Sequence, residues 1–313
     1  MKLFFACDVH GSEKCFKKFL NAGKFYKVDV IMLSGDITGK FVQPLVERTD
    51  GSYESNFLGV VRTARGQEEL AALEKDVKDT GYYPYRTTRG EVDQLVADKA
   101  RVDKLFSQLM LESVSNWMRI AEERLRDSGI RCFIMPGNDD RPEIDAVFRE
   151  SGCVENPDGK VVKVGDHEMI SSGNANITPW NCPRDIPEEK LADIIQNMAV
   201  DVRDMSHCIF NFHCPPYNSQ LDLAPELDSD LRPVTRMGNP NMIPVGSHSV
   251  RSAIEKHQPL LGLHGHIHES KGEARIGRTL CLNPGSDYAV GALNGAIIVL
   301  KDGRVKEYGL TTG

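Results

Sequence analysis

With 45 Asp and Glu against 38 Lys and Arg in 313 residues, the chain carries a formal charge of −7, which leaves no cationic surplus to cover a phosphate backbone and argues against an extended nucleic-acid surface. No apolar stretch approaches the roughly 20 residues that span a bilayer, so no membrane contact is expected. The eight cysteines (Cys7, Cys15, Cys132, Cys153, Cys182, Cys208, Cys214 and Cys281) form no CxxC pair, and most lie in or beside apolar runs as reduced thiols do, which points to a cytoplasmic setting.

The chain opens with a basic residue and an apolar run of about five, shorter than the 7–15 of a secretory leader. It runs straight into Asp8-Val9-His10-Gly11 and reads as a first strand over residues 2–7. A helix follows over 12–22, with Cys15, Phe16, Phe19 and Leu20 on one face and Lys14, Lys17 and Lys18 turned away, then a strand over 28–34 ending at Asp36. This βαβ opening predicts a parallel pair. The next comparable strand, 131–135, ends near Asn138 and lies about 95 residues further on, far more than such a crossover needs.

Much of that interval reads as one helix over 91–126, with apolar residues at three- and four-residue steps and Gly129 just past its end. At 1.5 Å per residue it would be about 54 Å long, roughly twice what crosses a sheet. Its C-terminal half is expected to pack on the sheet and its N-terminal half to project. Residues 40–100, with a second helix near 67–79 and a Tyr82–Tyr85 turn, are then expected to form a helical cap inserted in a single domain spanning 1–313. A helix over 142–150 and strands near 160–164, 168–172 and 207–212 follow, the last ending at His213. A helix near 187–198 starts on Pro187, Glu188 and Glu189. Residues 214–248 read as a long surface loop, and strands near 260–263, 279–282, 295–300 and 304–308 complete the chain. The pattern predicts an α/β fold: two mixed sheets packed face to face with helices outside.

Five apolar runs stop on a side chain that can bind a metal. They present Asp8 with His10, Asp36, Asn138, His213, and His266 with His268, and open α/β sheets gather ligands beyond the carboxyl ends of their strands. Seven ligands suit two ions if Asp36 bridges, with Asp8, His10 and His268 on one side and Asn138, His213 and His266 on the other. Two divalent cations against two carboxylates would leave about +2 to attract a phosphate. Imidazole, carboxylate and amide together suit Mn²⁺, the first choice, or Fe, Zn²⁺, Ni²⁺ or Co²⁺ better than Mg²⁺.

The order Asp8-x-His10, Gly35-Asp36, Gly137-Asn138-Asp139-Asp140, His213, Gly265-His266-x-His268 resembles the calcineurin-like metallophosphoesterases through the whole chain apart from the insertion. The segment VGSHSVRSAIEKHQPLLGLHGHIHES looks closest to the Icc-related predicted phosphoesterases. The resemblance implies the αββα sandwich of the metallophosphatase fold and hydrolysis of a small phosphate ester by a metal-bound hydroxide. Asp139 stands where that family most often has a histidine that protonates the leaving group, so phosphodiesters, nucleotides or activated esters are expected ahead of unactivated monoesters. Asp139, Asp140, His213 and His266 are the candidate catalytic residues, with Asn138 and Arg141 on the substrate side, Arg141 as a phosphate-binding guanidinium. A nuclease and a non-catalytic scaffold on the same fold are the alternatives. The acidic charge counts against the first and the full ligand set against the second. His264 and Cys214 are expected to pack rather than to bind metal.

Overall fold

The computed structural model describes residues 1–313. Two six-stranded sheets face each other. In the first, the order is Arg304–Thr312, Asn294–Lys301, Lys2–Ala6, Val30–Ser34, Arg131–Met135, Val154–Glu155. The predicted parallel pair is present, with Leu3 opposite Val30 and Phe5 opposite Met32. In the second sheet the order is Gly272–Ile276, Thr279–Asn283, Leu261–Leu263, Ile209–Phe212, His167–Ser172, Val161–Val164.

Strand alternation sorts the side chains into layers. From the first strand Leu3 and Phe5 point inward, joining Met32, Phe133, Met169, Ile209, Leu261, Leu282 and Ile298 between the sheets. Phe4 and Ala6 point outward, joining Ile31 and Ile134 under helices α1 (Glu13–Phe25) and α4 (Lys99–Leu125). On the far side Ile170, Phe210 and Phe212 pack under the helices Glu188–Ala199 and His248–His257. The layers are therefore helix, sheet, sheet, helix, as expected.

The long helix is real but broken. It divides into α3 (Arg89–Ala97) and α4 at Asp98, which leaves the helical region (φ −131°, ψ 93°) and caps α4 by accepting from the Arg101 amide. The buried residues of α4 begin only at Met110 and run through Val114, Trp117 and Ala121 to Leu125, with Trp117 stacked 4.3 Å from Phe16. The C-terminal half thus crosses the sheet and the N-terminal half projects.

The insertion is not the helical cap expected for 40–100. It carries a four-stranded sheet, Val60–Ala64, Tyr53–Phe57, Val42–Glu47 and Tyr83–Thr88 in that order, with α2 (Gly66–Asp79) on one face. Leu45, Phe57, Ala64, Leu70, Leu73 and Val77 make its own core. The strands were hard to see because each has five or six residues and alternates with exposed polar groups, and because Pro44 and Pro84 sit inside two of them. Proline removes a ladder donor and normally argues against a strand. Tyr83–Tyr85 open the last of these strands, with Tyr82 just before it, rather than forming a turn.

Candidate metal centre

Each of the five apolar runs ends a central strand at the same edge of the sandwich. Asp8 lies two residues past Ala6, Asp36 two past Ser34, Asn138 three past Met135, His213 one past Phe212 and His266 three past Leu263. The loops continue to hydrogen-bond beyond the sheets: the Asp8 amide donates to the Gly35 carbonyl at 3.0 Å, that of His10 to Asp36 at 2.9 Å and that of Gly265 to His213 at 2.9 Å. Asp8, His10, Asp36 and His266 all hold positive φ, 54°, 38°, 50° and 67°. Non-glycine residues rarely adopt this region, and such strain gathers where function fixes the backbone.

The glycines beside the ligands follow from crowding. A Cβ on Gly137 would stand 2.2 Å from the Asp36 amide nitrogen and carboxylate and 2.8 Å from His213 Nε2, and one on Gly35 would stand 1.9 Å from His213 Nδ1.

The ligand-type atoms form two overlapping groups, Asp8 with His10, Asp36 and His268, and Asp36 with His213 and His266, the atoms of each lying within 4.8 Å of one another. Asp36 is shared, and its two oxygens divide between them: Oδ2 lies 3.5 Å from His10 Nε2, Oδ1 3.3 Å from His213 Nε2. His10 and His268 bring their Nε2 atoms to 3.1 Å, and Asp8 Oδ1 lies 3.7 Å from His268 Nε2. Asn138 completes the second group, its Oδ1 3.2 Å from His213 Nε2.

The electrostatics fit cations. Burial raises both carboxyls, yet the imidazoles of His268 and His213 outweigh it for Asp8, which falls to about 2, and His213 with His10 carries Asp36 well below the usual range. Burial lowers His213, but Asp36 and Asp8 more than reverse that and lift it to about 9. His268 is also raised by Asp8 against its burial. Burial dominates at His10 and His266, which fall to about 3 and 4 and stay neutral. From the chain's own groups alone, two buried carboxylates therefore draw protons onto two of four rings. Divalent cations would replace those protons, since ligation needs neutral imidazole.

Around the ligands the structure sorts the remaining candidates. Asp140 is fully buried and does not face the centre. Its oxygens accept from the amides of Ile37 (2.9 Å), Thr38 (2.8 Å) and Gly137 (2.7 Å) and from the Thr38 hydroxyl (2.6 Å), tying the Asp36 loop to the Asn138 loop. Burial and the Asp36 charge raise its carboxyl to about 6 despite these donors. Asp139 is partly exposed beside the first ligand group, with Oδ2 2.9 Å from Lys40 Nζ and 3.8 Å from His10 Nδ1.

Arg141 departs from expectation: it turns to the projecting half of α4, donating to Ser107 Oγ (2.8 Å) and Asp103 (2.6 Å) and covering the Phe106 ring at 4.7 Å. Three partners on one helix hold its guanidinium there. His264 is buried with Nδ1 toward the Phe212 and Cys214 carbonyls, and Cys214 is buried beside Asn176, so both pack as expected.

Sequence reasoning missed Asp185, Arg184 and Lys40. Asp185 accepts from Asn138 Nδ2 at 2.8 Å and so aims the amide oxygen at His213, and the Arg184 amide donates to the Asn138 carbonyl at 3.0 Å. Asp185 lies 47 residues from Asn138, outside any apolar run, and no local pattern marks it. Lys40 sits four residues past Asp36 at the mouth of the insertion and has no motif of its own.

No family model matches the chain. The uncharacterized protein MJ1162 of Methanocaldococcus jannaschii is 30% identical over 176 residues, 55% of this chain and 72% of that protein. The UDP-2,3-diacylglucosamine hydrolase of Pseudomonas putida is 25% identical over 148 residues, 47% of this chain, and the match spans only 57% of that enzyme. Among solved structures, TT1561 of Thermus thermophilus shares the fold with a TM-score of 0.53 and 15% identity, over 100% of this chain and 97% of that one.

Proposed function

We propose that the chain is a metallophosphoesterase, a two-metal hydrolase of small phosphate esters, acting on phosphodiesters, nucleotides or activated esters ahead of unactivated monoesters. The observation that carries this reading is the split of the Asp36 oxygens between two buried ligand groups. Asp8, His10, Asp36 and His268 would hold one ion, and Asp36, Asn138, His213 and His266 the other, with Mn²⁺ favoured by the mixed donor set. When bound, the pair supplies a water nucleophile at neutral pH and positive charge for the phosphate.

The chain's own groups do the rest. Asp36 fixes the spacing of the two halves. Asp185 orients Asn138, whose amide hydrogen is then fixed away from the centre. Asp140, through four donors, holds the two loops in register, and its role is positioning. His213 and His266, with rings 5.2 Å apart, place two imidazoles on one side. Asp139, paired with Lys40 at 2.9 Å, puts no imidazole where a proton for the leaving group would come from. Good leaving groups need none, and this supports the substrate preference. No helix is long and apolar enough to cross a membrane, and the eight unpaired thiols, six of them buried, support a cytoplasmic location.

The test compares metal-reconstituted protein on bis(p-nitrophenyl) phosphate and glycerol 2-phosphate, for wild type and Asp139→His. Turnover of the diester with little of the monoester, and a gain on the monoester in the variant, is expected. Wild-type protein already efficient on glycerol 2-phosphate would refute the preference.

A further inference from the structure

His10 has two surroundings. It belongs to the first ligand group, and it also lines a cleft whose other walls are Lys40, Phe41, Leu58 and Tyr82 from the insertion and Tyr288 from the main domain. The insertion is fastened there by its own backbone. Ser12 donates to the Asp79 carbonyl at 2.5 Å, the Gly39 amide donates to the Tyr83 hydroxyl at 2.7 Å, and a Cβ on Gly81 would stand 2.1 Å from the His10 carbonyl oxygen. The cleft is thus a built junction between the insertion and the metal-binding loops.

Phe41, Leu58, Tyr82, Tyr288 and Ala289 give it apolar walls, three of them aromatic. Phe41 is 58% exposed and Leu58 64% exposed. Phe41 lies 5.4 Å from the Tyr82 ring, and across the cleft Tyr288 lies 4.7 Å from the His10 ring. Single exposed apolar residues call for no explanation, but a group of them opening onto a charged centre marks a binding surface. Thr80, the one hydroxyl-bearing aliphatic in the lining, already donates to the Val77 carbonyl at 2.9 Å. The only ammonium in the lining is Lys40, paired with Asp139 at the edge nearest the ligands.

We propose that the insertion builds a leaving-group subsite, which seats a flat aromatic or comparably apolar group esterified to the phosphate. Phe41, Tyr82 and Tyr288 contact that group, and Lys40 contacts the phosphate oxygens. Aromatic rings from both the insertion and the main domain suit a planar ring, which gains offset or edge contacts from them. The inference rests on the phosphoesterase reading and names the substrate class of that same site.

The test is direct binding, measured by titration calorimetry on the full chain loaded with Mn²⁺, with phenylphosphonate and methylphosphonate as ligands that lack a scissile ester bond. Phenylphosphonate is expected to bind about tenfold more tightly, the gain of burying one ring against aromatic walls. Phe41→Ala, at an exposed position, is expected to reduce that ratio to about two while leaving methylphosphonate binding unchanged. Lys40→Met is expected to weaken both ligands by the same factor, about tenfold, with Lys40→Arg recovering part of it. Circular dichroism establishes that each variant is folded. Equal affinities in the wild type, or a ratio unchanged in Phe41→Ala, would overturn the subsite while leaving the phosphoesterase reading intact. Failure of both phosphonates to bind would remove that reading and the subsite with it.

Discussion

Gly137→Ala adds one methyl group at the most crowded point of the centre. The glycine does not need a positive φ, so the substitution tests close approach alone. The new Cβ would stand 2.2 Å from both the amide nitrogen and Oδ1 of Asp36, and 2.8 Å from His213 Nε2. Ordinary contact requires these atoms to move by about 1 Å, and neither can go far: the Asp36 loop is clamped by Asp140, and His213 lies between its Ser34 carbonyl contact and Asn138. Overpacking of this kind costs about 1–3 kcal/mol of stability, and a displacement of about 1 Å in reacting groups costs roughly 100-fold in rate. Thermal unfolding, manganese content and the kcat for bis(p-nitrophenyl) phosphate report on the three consequences. Gly90→Ala is the control, since a Cβ there meets nothing within 4 Å on a helix and should stabilise by up to about 1 kcal/mol. Full metal content and wild-type kcat in Gly137→Ala would refute the argument.

In chelator-treated protein, His213 has its folded pKa raised to about 9 by Asp36 and Asp8 against its burial. Its stabilising contribution is therefore full below the ordinary histidine value near 6.5 and is lost as pH rises through about 9. A melting temperature that falls over this window in the metal-free protein, and stops falling when Mn²⁺ is added, is the expected result, because metal binding requires the ring without its proton. A flat profile without metal would contradict it. Asp185→Ala frees the Asn138 amide to rotate and should weaken binding of the second ion about 10–100-fold by competition with a metal indicator, while unchanged affinity would show that Asn138 is oriented otherwise. Arg141→Ala should leave kcat/KM for the diester within about twofold and cost less than about 1 kcal/mol, its ion pair with Asp103 being solvent-screened. A large rise in KM would instead restore it to the phosphate site.

What the sequence made legible was whatever a single strand could carry. The five ligand-bearing runs stand out because a buried strand is continuously apolar and its end is marked by a polar residue held in a strained turn, as at Asp8, Asp36 and His266. The four-layer order followed from the same runs, since Leu3 and Phe4 must face opposite sides. The insertion was not legible because its sheet buries one face only, under α2, and its strands carry Pro44, Pro84 and exposed polar residues. Two turns did mark it, at Asp50-Gly51 and Leu58-Gly59, where Gly51, Leu58 and Gly59 hold positive φ, but the leucine disguised the second. The break at Asp98 was hidden because the apolar spacing of α4 continues across it. Arg141, Asp185 and Lys40 depend on partners 38, 47 and 99 residues away, which only the fold brings together.

The central claim is that Asp36 joins two ions. Anomalous scattering from crystals grown with excess Mn²⁺ tests it most directly. The account predicts two peaks about 4 Å apart on either side of the Asp36 carboxylate, both lost in Asp36→Asn. A single peak held by Asp8, His10 and His268, with Asn138 and His213 turned away from it, would contradict the account.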